Sequence, residues 1–435
     1  MSFSRKVALK DIATKIYSGG TPSRKKPEYW ENGTIPWLKT NQIGEFVIYD
    51  TDEHITELGL NSSSAKLVKK NSLVIAMYGD GITRGKVSII GRDLTTNQAC
   101  CNLGIDSSKA EFKFIYYLLK QNYSIFRHLS NGGAQQNLNV NMIREFEVEV
   151  PSLDEQKSIA HILSTLDEKI ETNNQINKKL EEMSQAIFKQ WFIDFEFPNE
   201  DGEPYKSSGG EMVESEMGMI PKVWEIGTFR DYTDTVLGGD WGKENPQGNY
   251  IKEVYCLRGA DIPEVRVGKK GALPKRYILE KNYNNKKLNH GDLVVEISGG
   301  SPTQSTGRIS YISNLMLDKY DSDFVCTNFC RAITLKDKYL MEFFYLYWTQ
   351  LYDLDIFFQY ENGTTGIKNF DINTFLDKFL IVKPAKEIIN KFHSIIASLL
   401  NTIQSNGSEN IELSKIRDML LPKLMSGEIK VSLND

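Results

Sequence analysis

The sequence predicts an α+β protein: two repeated globular domains, separated by two long helices that form an antiparallel coiled coil. Three observations predict it. The hydrophobic pattern from Ile16 to Ser152 recurs, in order, from Val236 to Pro384. Each copy mixes short β-branched and aromatic runs with one amphipathic helix. A stripe of apolar residues at 4-3-4 spacing then follows each copy.

A chain of 435 residues is too long for one ordinary domain. Hydrophobic residues at 40% and charged residues at 25% describe a folded chain, not a disordered one. No apolar run approaches the ~18 residues of a membrane span. The start, MSFSRKVALKDIATKI, turns charged before a signal-peptide core could form, so export is not expected. Five cysteines, with Cys100–Cys101 adjacent and Cys326-x3-Cys330 inside a strand-like run, give no zinc or disulfide framework. The expected compartment is the reducing cytoplasm.

A net charge of −5 argues against a nucleic-acid partner until its distribution is read. Eight acids against two lysines between Asp194 and Lys222 carry more than all of it. Elsewhere the chain is basic in patches. Arg266, Lys269, Lys270, Lys275, Arg276, Lys281, Lys286 and Lys287 face Glu280 alone, and Lys66, Lys69, Lys70, Arg84, Lys86 and Arg92 face Asp80 alone. Such patches, and not whole-chain charge, are what phosphate feels. A lone charge run is ordinarily a solvated surface, so the patches count only because they occur in both copies.

The copies align in order along the chain. IYSGGTP (16–22) answers VLGGDWG (236–242), and IPWLKTNQI (35–43) answers EVYCLRGADI (253–262), at an offset near 219. KKNSLVIAMYGDG (69–81) matches LNHGDLVVEISGG (288–300), with Leu73 opposite Leu293. The offset then grows to about 231, pairing Asn97 with Asn328, Phe112 with Phe343 and Tyr116 with Tyr347. The strands read LVIAMYG, KVSIIG, ACCNLGI and FEVEV, then DLVVEIS, RISYIS, RAITL and FLIV. One helix interrupts each set, EFKFIYYLLKQNYSIFRHL and YLMEFFYLYWTQLYDL, whose aromatic stripes are core.

Pro151-Ser152, with Ser152 three residues ahead of Glu155, opens the first long helix. Its seam runs Ile159, Leu163, Leu166, Ile170, Asn173, Asn177, Leu180, Met183/Ser184 and Ile187. After Pro384 the second shows Ile388, Phe392, Ile395, Leu399 and Ile403, breaks at Ser405-Asn406-Gly407-Ser408, and resumes with Ile411/Leu413, Ile416, Leu420 and Leu424. Neither has another partner of matching length, so the two pair with each other, and antiparallel pairing holds the globular domains apart. The seam asparagines either fix register or face solvent. The predicted domains are 1–151, a central helix 152–192, a flexible acidic linker 193–222, 223–384, and a C-terminal helix 385–428.

GGTPS, IPWLKTNQI, LVIAMYGDG, NGGAQQNLN and VPSLDEQKSIAHILSTLDEKI together resemble the specificity subunits of type I restriction–modification systems, over nearly the whole chain from Val7 to Glu428. Pro, Leu-x-Glu-Gln, Ile-Ala and a long helix form the most specific element. The second copy lacks its Glu-Gln (PAKEIINKFHSIIASLL) and matches by position and by LSKIRDMLLPKLMSGEI. The resemblance implies two target-recognition domains, each reading one half of a bipartite, asymmetric double-stranded DNA target. It also implies two modification (methyltransferase) subunits docked on the helices, joined by restriction (translocase/endonuclease) subunits.

The residues agree with a reader lacking chemistry of its own and needing no cofactor. No NPPY- or DPPY-type motif is present, and Asn245-Pro246-Gln247 imitates one poorly. There is no phosphate loop, and GTTGIK (363–368) lacks the spacing. The histidines at 54, 128, 161, 290 and 393 form no metal pattern, and His161 and His393 fall in helices. The alternatives are a self-contained DNA-modifying enzyme and a coiled-coil scaffold without DNA specificity.

Arg and Lys read guanine, Asn and Gln read adenine, and Lys, Arg, Ser and Thr hold phosphates. The loops of the first copy supply Thr21, Arg24, Lys25, Lys39, Asn41, Gln42, Tyr78, Arg84, Lys86, Gln135 and Gln136. Those of the second supply Arg258, Lys269, Lys270, Lys275, Arg276, Ser301, Gln304, Arg308, Thr364, Thr365 and Lys368. Gly132-Gly133 and Gly363 fit close approach of the backbone to phosphate or, more simply, turns needing positive φ.

Overall fold

Strand register shows the duplication directly. The computed structural model describes residues 5–79, 81–129, 137–299, 301, 303–363 and 368–431. The chain divides into one unit of residues 1–171 with 413–435 and a second of residues 172–412.

In the first unit a five-stranded sheet runs Ala13–Ser18, Cys100–Ile105, Leu73–Ala76, Val87–Ile90, Val47–Ile48. Its period-2 pattern divides its side chains between two cores. Leu73, Ile75 and Leu103 pack on the helix Phe112–Gln121 through Phe114, Ile115 and Tyr117. Val74, Ala76 and Cys100 face the other way, with Ile48 of the same sheet, onto Leu38 and Leu94 of a four-stranded sheet. The predicted first-copy helix is in fact two, ending at Gln121 and restarting as Tyr123–Leu129.

The second unit repeats the plan. Thr233–Gly238, Cys330–Leu335, Leu293–Glu296 and Ile309–Tyr311 form its main sheet, and Met341–Asp353 is the covering helix. Leu293 and Val295 face that helix while Val294 points away. Ser18 sits opposite Cys101 as Gly238 does opposite Arg331. Trp37 lies beside Thr95 in a parallel ladder as Cys256 does beside Val325. These registers put Asn97 at the place of Thr327 and Gln98 at the place of Asn328, so the sequence match of Asn97 with Asn328 is one residue out. A ladder tolerates no such slip, because it would turn every side chain to the wrong face. Most of the extra length of the second copy lies between Tyr311 and Phe324, where the short helix Asn314–Leu317 has no counterpart.

The long helices span Leu153–Phe192 and Lys386–Met425. Ser152 caps the first through a Glu155 N–H donated to its Oγ at 3.3 Å. In the first unit Ile159, Ala160 and Leu163 share a core with Leu421 and Leu424, and Asp167 pairs with Arg417. In the second, Phe188, Trp191 and Phe192 pack around Phe392. Rising numbers on one helix meet falling numbers on the other, so the helices pack antiparallel.

Three further expectations change. Ser405-Asn406-Gly407-Ser408 does not break the second helix, which is continuous. Gly407 is required there: a Cβ would lie 2.0 Å from the Val267 carbonyl oxygen. The buried stripe drifts by one residue, so Ile396 and Leu421 are buried while Ile395 and Ile416 are exposed. The acidic segment 193–222 is not a flexible linker. It carries the hairpin Met212–Ser215/Gly218–Pro221, and Phe197 stacks on Tyr205 and Trp224 at 4.6 Å. Its interleaved apolar residues, Phe197 and Ile220, are buried in the core of the second unit and outweigh its acidic composition.

Candidate nucleic-acid interface

Loops of the first copy converge where parallel strands end. Ile35–Leu38 and Leu94–Thr96 run side by side, so Lys39 and Asn97 emerge at the same edge, with the Asn97 N–H donated to the Leu38 carbonyl at 2.9 Å. Lys39 pairs with Glu53 at 2.5 Å, and Arg24 pairs with the same carboxylate. The Arg24 guanidinium also lies 3.6 Å above the Trp30 ring. Arg24 first, and then Lys39, hold the Glu53 carboxyl below the usual range. Two cations on one anion leave a local excess of positive charge.

Asn41 and Gln42 follow on the 3-10 turn Thr40–Gln42, Asn41 exposed. The Thr21 hydroxyl donates to Gln98 Oε1. Lys25 is exposed. Tyr78, Arg84 and Lys86 belong to the loop after Leu73–Ala76, and the Lys86 stem runs beside Gly44, which brings this loop to the 40–44 turn. Gly44, Lys86, Tyr116, Lys120 and Tyr123 help to line a largely apolar cavity of about 410 Å³, and burial lowers the Lys120 pKa.

Several cations of the second copy are engaged internally. Arg258 makes a bidentate pair with Asp261 (2.8 Å twice) and reaches the Ala272 carbonyl at 2.8 Å. Arg308 forks onto the buried Glu296 with two bonds of 2.7 Å, and Lys368 pairs with Glu361 at 2.9 Å. Lys275 bridges Glu253 at 2.8 Å and Asp321 at 3.1 Å. Arg276 lies 4.1 Å over the Trp241 ring. Lys269 and Lys270 differ from these: both are exposed, with no carboxylate at ion-pair distance among the described residues. Ser301 and Gln304 close a small turn, the Ser301 N–H donated to the Gln304 carbonyl at 2.8 Å. Gln135, Gln136, Thr364 and Thr365 lie outside the described residues, as do Gly132 and Gly133.

A basic cleft escaped the sequence. Lys10, Lys15, Lys66 and Arg144 line a cavity of about 590 Å³ along the open edge of Ala13–Ser18, beside Tyr17. Lys10 is paired with Glu145 at 2.5 Å, whereas Lys15, Lys66 and Arg144 have no carboxylate partner among the described residues. Lys66 belongs to the basic run read in the sequence, but Lys10, Lys15 and Arg144 are scattered along the chain, and no local pattern marked them. Gln98 and Asn328 were also missed; both are exposed.

The model for the type I restriction modification DNA specificity domain matches residues 3–182. The MjaIX type I restriction enzyme specificity subunit of Methanocaldococcus jannaschii is 30% identical over 97% of this chain and 93% of its own length. The chain belongs to the type I restriction enzyme specificity subunits. The HindI specificity subunit of Haemophilus influenzae is 25% identical over 85% of this chain and 89% of its own. The crystal structure of the type I restriction–modification system S subunit from M. genitalium has the same fold, with a TM-score of 0.57 at 16% identity, covering 97% of this chain and 96% of that one. As a specificity subunit the chain recognises a DNA target and directs partner subunits, a non-catalytic role. Among the described residues no helix is long and apolar enough to cross a membrane.

Proposed function

We propose that this specificity subunit reads a bipartite, asymmetric double-stranded DNA target, one half by each globular copy, for partner subunits that methylate and cut. One observation carries the proposal: the two copies share strand registers but differ in the side chains and lengths of the loops those strands present. A shared scaffold supports a shared way of lying on the duplex, and different loops support different half-sites.

In the first copy Arg24, Lys39, Asn41, Gln42, Tyr78, Arg84 and Lys86 are the candidate contacts, joined by Thr21 and Lys25. In the second, Lys269, Lys270 and Arg276 are favoured for phosphate, because Arg258, Lys275, Arg308 and Lys368 already hold carboxylates. The long helices are the docking site for two modification subunits, with the restriction subunits joining that assembly. Exposed Ile162, Ile416 and Met419 in the first unit, and Ile176, Met183 and Ile395 in the second, support this, being large apolar side chains on the helices' outer faces.

Mapping methylation in cells that carry the modification subunit, with and without this chain, tests the proposal. A two-part asymmetric motif should be marked only when the chain is present. A continuous or palindromic motif would contradict it.

A further inference from the structure

Two turns, one in each copy, hold equivalent places, each bonded to three segments of its own copy. In the first copy the turn runs from Thr96 to Cys100, and in the second from Cys326 to Cys330. Four backbone bonds frame each turn in the same way. The N–H of Asn97 is donated to the Leu38 carbonyl at 2.9 Å, and that of Thr327 to the Leu257 carbonyl at 2.9 Å. Gly20 donates to Thr96 at 2.8 Å, and Asp240 to Cys326 at 2.9 Å. Met77 donates to Ala99 at 2.9 Å, and Ile297 to Phe329 at 2.8 Å. Cys100 and Cys330 close the turns onto Asn97 and Thr327 at 3.2 and 3.0 Å. The preceding glycine is forced in both copies, because a Cβ on Gly19 or Gly239 would fall 2.1 or 2.0 Å from the turn.

The three segments bonded to each turn continue directly into the loops of the candidate interface, after Gly20, Leu38 and Met77 in one copy and after Asp240, Leu257 and Ile297 in the other. The turn is therefore the fixed point from which those loops depart. Its flanks, Thr96, Cys100, Cys326 and Cys330, are buried. At its tip both copies expose a carboxamide: Gln98 and Asn328. A carboxamide offers one donor and one acceptor side by side, the pattern that matches adenine N7 and N6 in the major groove. Because its backbone is tied to three segments and closed on itself, only the side chain has to be ordered on binding.

The surroundings of the two tips differ as asymmetric half-sites require. Thr21 donates its hydroxyl to Gln98 Oε1, orienting that amide. The same position in the second copy is Trp241, engaged with Arg276, and the neighbour of Asn328 is Phe329, 62% exposed where the first copy has Ala99. An exposed ring beside an amide suits a thymine methyl next to the adenine.

We infer that Gln98 and Asn328 read bases, each hydrogen-bonding an adenine edge in the half-site of its own copy. This inference rests on the half-site proposal above. The test uses the full chain assembled with its modification subunit and a randomised-site DNA library, comparing wild type with Gln98→Ala and Asn328→Ala. Each variant should lose about tenfold to a hundredfold discrimination at one base pair of one half-site. The other half-site, which serves as the folding control, and the salt slope should stay unchanged. The isosteric Gln98→Glu and Asn328→Asp should shift preference at those positions from adenine toward cytosine, since a carboxylate only accepts. Unchanged discrimination in all four variants, or a uniform affinity loss with a flatter salt slope, would overturn the inference. A wild-type target that is not in two parts would overturn the half-site proposal instead.

Discussion

Asn173 and Asn410 meet side chain to side chain in the buried seam between the long helices, Nδ2 to Oδ1 at 2.8 Å. The ladder continues as Asn410 donates to Asn174 at 3.0 Å and Asn406 to Asn177 at 2.8 Å. Asn177 closes it on the Ile403 carbonyl at 3.2 Å. Amides facing amides satisfy each other only in one register, whereas aliphatic contacts tolerate sliding. Asn173→Ala should therefore cost about 1–3 kcal/mol, because it takes the donor from the buried Asn410 Oδ1. The paired change Asn173→Leu with Asn410→Leu should be close to neutral. A double-mutant cycle of Asn173→Leu, Asn410→Leu and the pair, read from urea unfolding, measures the coupling, and additive single effects would show that the amides are not coupled.

The Glu53 carboxylate restrains Arg24 and Lys39. Glu53→Gln should release both cations, strengthening binding to unrelated DNA and steepening its salt dependence by up to ~0.9 for each new phosphate contact. Fluorescence anisotropy across a salt series checks this. An unchanged slope would mean that neither side chain reaches phosphate.

Lys269 and Lys270 should behave differently from Lys275. Changing the first two to Ala should weaken cognate and unrelated DNA alike and flatten the slope by about 0.9 per lost contact. Lys275→Ala should leave the slope in place, since that lysine bridges Glu253 and Asp321. A loss confined to the cognate site would make Lys269 and Lys270 base readers.

Glu342, only 2% exposed, lies 2.7 Å from His393 Nδ1. Burial raises its pKa above the usual 4.5, and the His393 contact only partly opposes this. A carboxyl raised on folding favours the folded state when protonated, so its contribution declines as pH rises from about 4.5 through the raised value. Glu342→Gln should flatten the urea midpoint against pH over that window. A profile unchanged by the substitution would place the dependence on other groups.

Much of this was legible in the sequence. The strands around Leu73 and Leu293 carry a period-2 pattern that no helix would satisfy, and the seam of the long helices was readable from Ile159 onward. Four kinds of feature were not. Asn97 matched Asn328 because identical letters lie one residue apart, and only the ladder shows that Gln98 is the true counterpart. Composition hid Phe197 and Ile220 among acids. The Glu-Gln of the helix start could be matched but not explained. Gln156 turns out to be buried, accepting from the Glu111 N–H at 3.0 Å and donating to the Pro151 carbonyl at 3.0 Å, so it ties one helix to the start of another. The basic cleft of Lys15, Lys66 and Arg144 joins residues too far apart in sequence for any motif.

The half-site account is tested most directly by replacing residues 1–151 with the corresponding domain of another specificity subunit and mapping methylation in cells that hold the modification subunit. The account predicts that one half of the target changes while the other keeps its sequence. A change in both halves, or in neither, would contradict it.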